Sequence, residues 1–274
     1  MTDLTTPAGA SRYWLAVPAA GGGARFGADL PKQYALVAGR TVLQHAFAPF
    51  IADRRCAGFV VVISDDDTHW PSVQRKLLED IAASSSAARR LLITAGGRQR
   101  SDSVCAALQA LTAVAAHDDW VMVHDAARPC VSSAEVDALL AAVGAVTAMA
   151  PTSAPAAASS VVPSGALLAL PIADTIKRGD AALPVSVAAT VPRERLWRAQ
   201  TPQLFRHGEL WAALRAAQQA GRTPSDEAQA MEWQGAQPLL VEGRASNIKV
   251  TRPGDLAIVA ALLSGAADAM MSRK

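Results

Sequence analysis

Cysteine is scarce in this chain: Cys56, Cys105 and Cys130 stand far apart, odd in number, with no Cys-x-x-Cys pair and no neighbouring histidine cluster. That spacing argues against a disulfide framework and a sequence-encoded zinc site, and a reducing, cytoplasmic setting suits it best. Long apolar runs are lacking too. No window approaches the ~20 uninterrupted apolar residues of a membrane span, because Ser, Pro, Gly and charges break the Ala-rich stretches. The opening residues carry no basic segment leading into an apolar one, so no signal peptide is expected. Charge of one sign is missing as well: a net charge of +2 is too small to point to nucleic acid or a membrane surface as partner. Lysine is rare, confined to Lys32, Lys76, Lys177, Lys249 and Lys274, so each one carries more information than in an average chain.

What is present suits a large core. With 274 residues, 51% hydrophobic and 18% charged, the chain falls within the range of one large α/β domain, read here as 1–274. Short apolar runs alternate with Ala/Leu-rich amphipathic segments: YWLAVPAA then TVLQHAFAPFIA, GFVVVIS then SVQRKLLEDIAA, RLLITAGG then SVCAALQALTAV, DWVMVHDAA then SAEVDALLAAV. This β-α-β-α order predicts an open, doubly wound, mostly parallel sheet with ligands beyond the carboxyl ends of its strands. The loops at 18–32, 96–103 and 124–129 fall there. A Pro/Ala/Ser stretch at 150–165 reads as a loose connection. The apolar segments that follow, around a polar turn at Arg178 to Ala181, read as an extended β arm that needs a partner surface. Two helical segments, a strand over QPLLVEGRASNIKVT and a closing helix over PGDLAIVAALLSGAADAM are expected in the last third.

Three strand-end loops carry the chemistry. In PAAGGGARFG, continuing to Pro31-Lys32-Gln33, glycines after a strand let backbone N–H groups converge on an anion, and Arg25 and Lys32 supply cations for phosphate. The spacing is neither a Walker A loop nor the dinucleotide G-x-G-x-x-G. Gly96 to Val104, GGRQRSDSV, could admit a base and ribose at close range, or cap a helix through Ser101 or Asp102; the two readings are compatible. In VHDAARP, Asp125 at a strand end could hold Mg²⁺ or orient a cation, with Arg128 gripping a second phosphate, whereas an isolated pair of this kind would be a structural salt bridge. His124, preceded by apolar residues, reads as packed and hydrogen-bonded rather than as a base. Late in the chain, DTIK, Arg193, TPQ and SDE, taken singly, read first as turns, caps or solvated charge. Lys249 differs, because an ammonium in its otherwise uncharged segment is costly unless it meets an anion. The tryptophans show no regular spacing and read as packing residues.

The order and context of PAAGGGARFG..LPKQY, GGRQRSDSV, VHDAARP, DTIKR, TPQ, SDEA and VEGRASNIKVT resemble the 2-C-methyl-D-erythritol 4-phosphate cytidylyltransferases, from about Pro18 to Asp255. The resemblance implies a Rossmann-like nucleotidyltransferase fold and transfer of CMP from CTP to a polyol phosphate with Mg²⁺. It implies nucleotide contacts from Ala19, Ala20, Gly21, Gly23, Gly97 and Ser103, and catalytic cations at Arg25, Lys32 and Lys249. Asp125 would lie at the metal and sugar-phosphate end, with Arg128, Thr175, Arg193, Thr201 and Ser225 serving the acceptor. It further implies a homodimer in which an arm at about 171–192 lends Thr175 and Arg193 to the partner's site. A cytidylyltransferase for another polyol phosphate, such as ribitol 5-phosphate, and a silent nucleotide-binding protein are the alternatives.

Overall fold

The computed structural model describes residues 12–21, 26, 30–84, 89–149, 164–181 and 184–265. The expectations placed on Gly23, Arg25, most of the 150–165 stretch and the end of the closing helix fall outside these residues.

The first apolar run forms β1 (Tyr13–Pro18), and its alternation divides the core. Tyr13, Leu15 and Val17 face one side and Trp14 and Ala16 the other, as the period-two geometry of a strand requires. After it come a small hairpin, β2 (Leu36–Val37) and β3 (Arg40–Thr41), then α1 (Val42–Ala52), β4 (Cys56–Ile63), α2 (Trp70–Ser84), β5 (Arg90–Ala95) and α3 (Arg100–Leu111). The order continues with β6 (Trp120–Val123), α4 (Ser133–Met149), β7 (Gly165–Pro171), β8 (Ile176–Gly179), β9 (Val187–Val191) and β10 (Trp197–Arg206). It closes with α5 (His207–Gln219), α6 (Glu227–Glu232), β11 (Leu239–Glu242) and α7 (Asp255–Leu263).

Seven strands form one sheet in the order β11-β7-β10-β6-β1-β4-β5. Only β10 runs against its neighbours, β6 and β7. The sheet is therefore the mostly parallel, doubly wound one that the sequence pattern predicts. Leu43, Phe47 and Phe50 of α1, Leu77 of α2 and Leu139 of α4 bury against one face. Val104, Leu108 and Leu111 of α3, Leu210 and Leu214 of α5 and Met231 of α6 bury against the other. Chain order proceeds from β1 to β4 and β5 on one side and then returns to β6 on the other. The strand order thus reverses between β1 and β6, the position where such sheets open a ligand crevice.

Two expectations are corrected. The strand foreseen over QPLLVEGRASNIKVT ends at Glu242, and residues 243–251 are irregular. Side chains of the core hold that irregular backbone: Gln200 Nε2 donates to the carbonyls of Arg244 and Asn247, and Asn247 Nδ2 to that of Thr201. The apolar segments flanking the arm also belong to the main sheet, because β7 and β10 pair with each other and leave only β8 and β9 as a separate two-stranded ribbon. Long-range antiparallel pairing of this kind has no local sequence signature.

Candidate active site

A cleft of about 520 Å³ opens at the β1/β6 reversal. Its walls come from all three strand-end loops: Ala19 to Gly21 with Lys32 and Gln33, then Gly97 to Arg100 with Ser103, then Asp125 to Ala127, joined by Lys249 and Thr251. Residues remote in sequence meet here because each follows the carboxyl end of a parallel strand or is pinned beside one.

The first loop is held by Gln33. This side chain, 4% exposed, donates from Nε2 to the carbonyls of Ala19, at 2.9 Å, and Gly21, at 3.3 Å. Lys32, the first residue of the same short turn (Lys32–Tyr34), lines the cleft beside it. The second loop packs directly on the first: a Cβ on Gly96 would overlap Ala20, and one on Gly97 would overlap Asp102. Asp102 Oδ2 accepts from the Gln99 backbone N–H at 3.1 Å, and Ser103 Oγ accepts from that of Gly97 at 3.3 Å. The cap of α3 is therefore Gln99 rather than Ser101 or Asp102, with Asp102 closing the capping box from the third helical position, while Gly97 and Ser103 also line the cleft.

At the third loop, a chain of neutral hydrogen bonds sets the backbone. His124 Nε2 lies 3.0 Å from the carbonyl of Arg128 and must carry the proton there; Nδ1 then accepts from the Thr201 hydroxyl, whose oxygen accepts the Asp125 N–H at 3.0 Å. His124 is fully buried, and burial lowers its pKa to about 4. It is a neutral structural group and has no lone pair left for a substrate. An unfolded histidine takes up its proton near pH 6.5, so this contribution to stability is present above that pH and is lost as pH falls toward 4. Urea unfolding should therefore show wild-type stability falling more steeply than that of His124→Gln between pH 6.5 and 5, by at most about 1.4 kcal/mol per pH unit. Identical slopes would place a charged or exposed imidazole at this position.

Asp125 is the hub of the charged groups. Its Oδ1 accepts from Arg100 Nε at 2.8 Å; its Oδ2 lies 2.8 Å from Lys249 Nζ and 3.6 Å from Arg128 Nε. Burial alone would raise its pKa, but Arg100, Lys249 and Arg128 hold it far below the ordinary carboxylate range. Lys249 is aimed by the backbone on either side: the Asn247 carbonyl accepts from Arg128 Nη1 at 2.7 Å, and the Val250 N–H donates to Ala127 at 2.8 Å. The anion anticipated for this lysine from its uncharged surroundings is Asp125.

Of the residues singled out in the sequence, the structure brings Ala19, Ala20, Gly21, Lys32, Gly97, Ser103, Asp125 and Lys249 to one cleft. Arg128 and Thr201 stand behind it and shape the Asp125 loop. Thr175, Arg193 and Ser225 are exposed and are not among the residues lining it. Sequence reasoning missed Arg100 and Glu227. Arg100 opens α3, where the positive end of the helix dipole disfavours a cation; two acids hold it there, Asp125 and, with bonds of 2.6 and 3.1 Å, Glu227. An arginine at a helix start is the one local sign that could have drawn attention to it.

A crevice at a strand-order reversal, floored by small residues and lined by Lys32, Arg98, Arg100 and Lys249, is the kind of site with which an α/β protein handles a phosphorylated nucleotide. The sequence profile of the 2-C-methyl-D-erythritol 4-phosphate cytidylyltransferases (IspD) matches residues 14–265, and the chain belongs to this family. Similar curated proteins carrying that name occur in Ectopseudomonas mendocina, 45% identical over 90% of this chain and 94% of that one, and in Halorhodospira halophila, 44% identical over 92% and 94%. Among solved structures, a 4-diphosphocytidyl-2C-methyl-D-erythritol synthase superimposes with a TM-score of 0.71 at 33% identity, covering 92% of this chain and 99% of that one. The Francisella tularensis 2-C-methyl-D-erythritol 4-phosphate cytidylyltransferase superimposes with a TM-score of 0.68 at 30% identity, over 92% and 100%.

Proposed function

We propose that this chain transfers the cytidylyl group of CTP to 2-C-methyl-D-erythritol 4-phosphate, releasing pyrophosphate, and that the cleft at the β1/β6 reversal is where it does so. The observation that carries this reading is that the Lys249 ammonium, held 2.8 Å from Asp125, lines the same cleft as Lys32 and Ala19 to Gly21. Two lysines lining one cleft suit two phosphorylated substrates brought together.

A phosphate oxygen of the acceptor attacks the α-phosphorus of CTP. A new P–O bond forms, the bond from the α-phosphorus to the α,β-bridging oxygen breaks, and the electron pair leaves with pyrophosphate. The nucleophile is already anionic, so no general base is needed, in keeping with a neutral His124 whose ring nitrogens are both engaged. Catalysis comes from alignment and from stabilising the charge that develops around the α-phosphate and on the leaving group. We assign the leaving-group charge to Lys32 and, from the sequence, Arg25, the nucleoside to Gly97 and Ser103, and the juxtaposition of the two substrates to Lys249.

Among the described residues Asp125 is the one carboxylate lining the cleft, and no cluster of three or more His, Cys, Asp or Glu is placed to hold a metal. Both Asp125 oxygens already meet cations. This donor set suits Mg²⁺ carried by the triphosphate, where it would supply charge neutralisation, better than an ion caged by protein. Asp125 is the side chain that would hold such an ion, in exchange for one of its present cation contacts.

The exposed arm supports a homodimer. Val185 and Val187, 64% and 63% exposed, lie at its tip, and Thr175 and Arg193 flank its ribbon in solvent, as expected of groups that complete a partner's site. Among the described residues no helix is long and apolar enough to cross a membrane. Together with the three free cysteines it leads us to assign the chain to the cytosol.

Pyrophosphate release by purified protein with Mg²⁺ and CTP tests the function, comparing 2-C-methyl-D-erythritol 4-phosphate, ribitol 5-phosphate and no acceptor. Release with the methylerythritol phosphate alone is expected, from a species of twice the 28.5 kDa chain mass by light scattering. Release with ribitol phosphate alone would reassign the acceptor, and none from folded protein would leave a nucleotide-binding role.

A further inference from the structure

Glu227 lies behind the cleft wall, 1% exposed, as the first residue of α6. It is a charged side chain taken almost wholly out of water, and both its oxygens face one partner. Oε1 accepts from Arg100 Nη1 at 2.6 Å and Oε2 from Nη2 at 3.1 Å, a fork-to-fork pair that fixes the plane of the guanidinium. The remaining edge of the same group donates from Nε to Asp125 Oδ1. Arg100 therefore joins a carboxylate outside the cleft to the carboxylate that holds Lys249.

The start of α6 is itself fixed from the sheet. Gln203 of β10, 1% exposed, donates from Nε2 to Asp226 at 3.0 Å and accepts from the Ala228 N–H at 2.9 Å, so the residues on both sides of Glu227 are tied to β10. A continuous path runs from β10 through Gln203, Glu227, Arg100 and Asp125 to Lys249. Buried ion pairs add little net stability over apolar packing of the same shape, so stability alone is a weak reason for this one. Arg100 is 28% exposed in the cleft wall, and without Glu227 its long side chain is free to turn toward solvent or toward a bound phosphate.

We propose that Glu227 is a positioning residue of the transfer reaction: it holds the Arg100 guanidinium in the plane that fixes Asp125, and through Asp125 it aims Lys249 at the junction of the two substrates. This role rests on the functional reading given above. Glu227 touches neither substrate, and its effect falls on turnover rather than on capture of the nucleotide.

The test uses the full-length chain with CTP and 2-C-methyl-D-erythritol 4-phosphate, measuring kcat, both KM values and the melting temperature. Glu227→Gln keeps the shape but cannot accept both Arg100 N–H groups. It is expected to lower kcat about 10-fold or more while changing the KM for CTP less than about threefold, as for loss of an oriented charged hydrogen bond. Arg100→Lys keeps the charge but cannot bridge two carboxylates, and a similar kcat loss is expected. The double variant should be no slower than the slower single, because both changes break one device. Wild-type kcat in Glu227→Gln, or losses that multiply in the double variant, would overturn the proposal. Should Glu227→Gln not fold, Arg100→Lys decides alone, and wild-type kcat in it would have the same force. An inactive wild-type protein would strike the functional reading itself, whereas an active wild type with an indifferent variant strikes only the role of Glu227.

Discussion

Lys32→Ala is expected to lower turnover by at least ~10²-fold, the scale set by losing one key electrostatic contact to a developing charge. Lys32 starts the short turn that follows the glycine loop, and the next residue, Gln33, ties that loop down through the carbonyls of Ala19 and Gly21. Lys32 thus stands on a fixed base beside the small residues to which the proposed reaction assigns the triphosphate. CTP already carries charge in the ground state, so some binding is lost and its KM should rise. The larger loss falls on kcat, because negative charge grows on the bridging oxygen as the bond to pyrophosphate breaks, and interactions that strengthen in the transition state govern rate. The side chain is only half-buried and is no part of the hydrophobic clusters, so the melting temperature should stay within a few degrees of wild type. Lys32→Arg, which restores charge with a longer and wider group, should recover part of the rate. Turnover near wild type in the alanine variant would remove Lys32 from the mechanism.

Asp125→Ala should damage both stability and turnover. It removes the carboxylate that Arg100, Arg128 and Lys249 now share, leaving Arg100 only its pair with Glu227. Removing one partner of a buried ion pair costs about 3–5 kcal/mol, and the lower end applies here because Lys249 and Arg100, 37% and 28% exposed, can turn partly into water. Arg128, 12% exposed, cannot. The cleft also becomes more positive, so the KM for CTP should hold or fall. At the same time Lys249 loses the contact that aims it, and kcat should fall ~10²-fold or more, as when a positioned charge is misplaced. Urea unfolding with steady-state kinetics separates the two effects. An unchanged kcat would show that Lys249 needs no anchor, and an unchanged unfolding midpoint would show that the hub is hydrated rather than buried.

The parts of this molecule legible in the sequence share a property: their cause is local. β1, β4, β5 and β6 are short apolar runs bounded by turn residues and separated by helical periods, so their parallel arrangement follows from the crossovers between them. The glycine loop, GGRQRSDSV and VHDAARP could be placed at one edge because each follows such a strand. His124 could be read as buried because the apolar residues before it announce its surroundings. The misses have the opposite character. β7 and β10 pair across the whole arm, and nothing in either segment names the other. The pattern around Asn247 and Lys249 predicts a strand, which in the structure ends at Glu242, because an irregular backbone held by distant side chains looks, residue by residue, like a strand. Arg100 and Glu227 stand 127 positions apart, and a single arginine or glutamate reads as solvated surface until its partner is seen.

Composition and order of residues therefore determined that this chain folds around a mostly parallel α/β sheet, at which edge of it the strand-end loops meet, and to which family it belongs, since periodicity and strand-end motifs are properties of neighbouring residues. Only the tertiary structure decided which charges act together. The Gln203–Glu227–Arg100–Asp125–Lys249 path and the neutral His124–Thr201 pair are assembled from segments brought together by burying the two faces of the sheet. Their energies depend on distance and desolvation, quantities that exist only once the chain has folded.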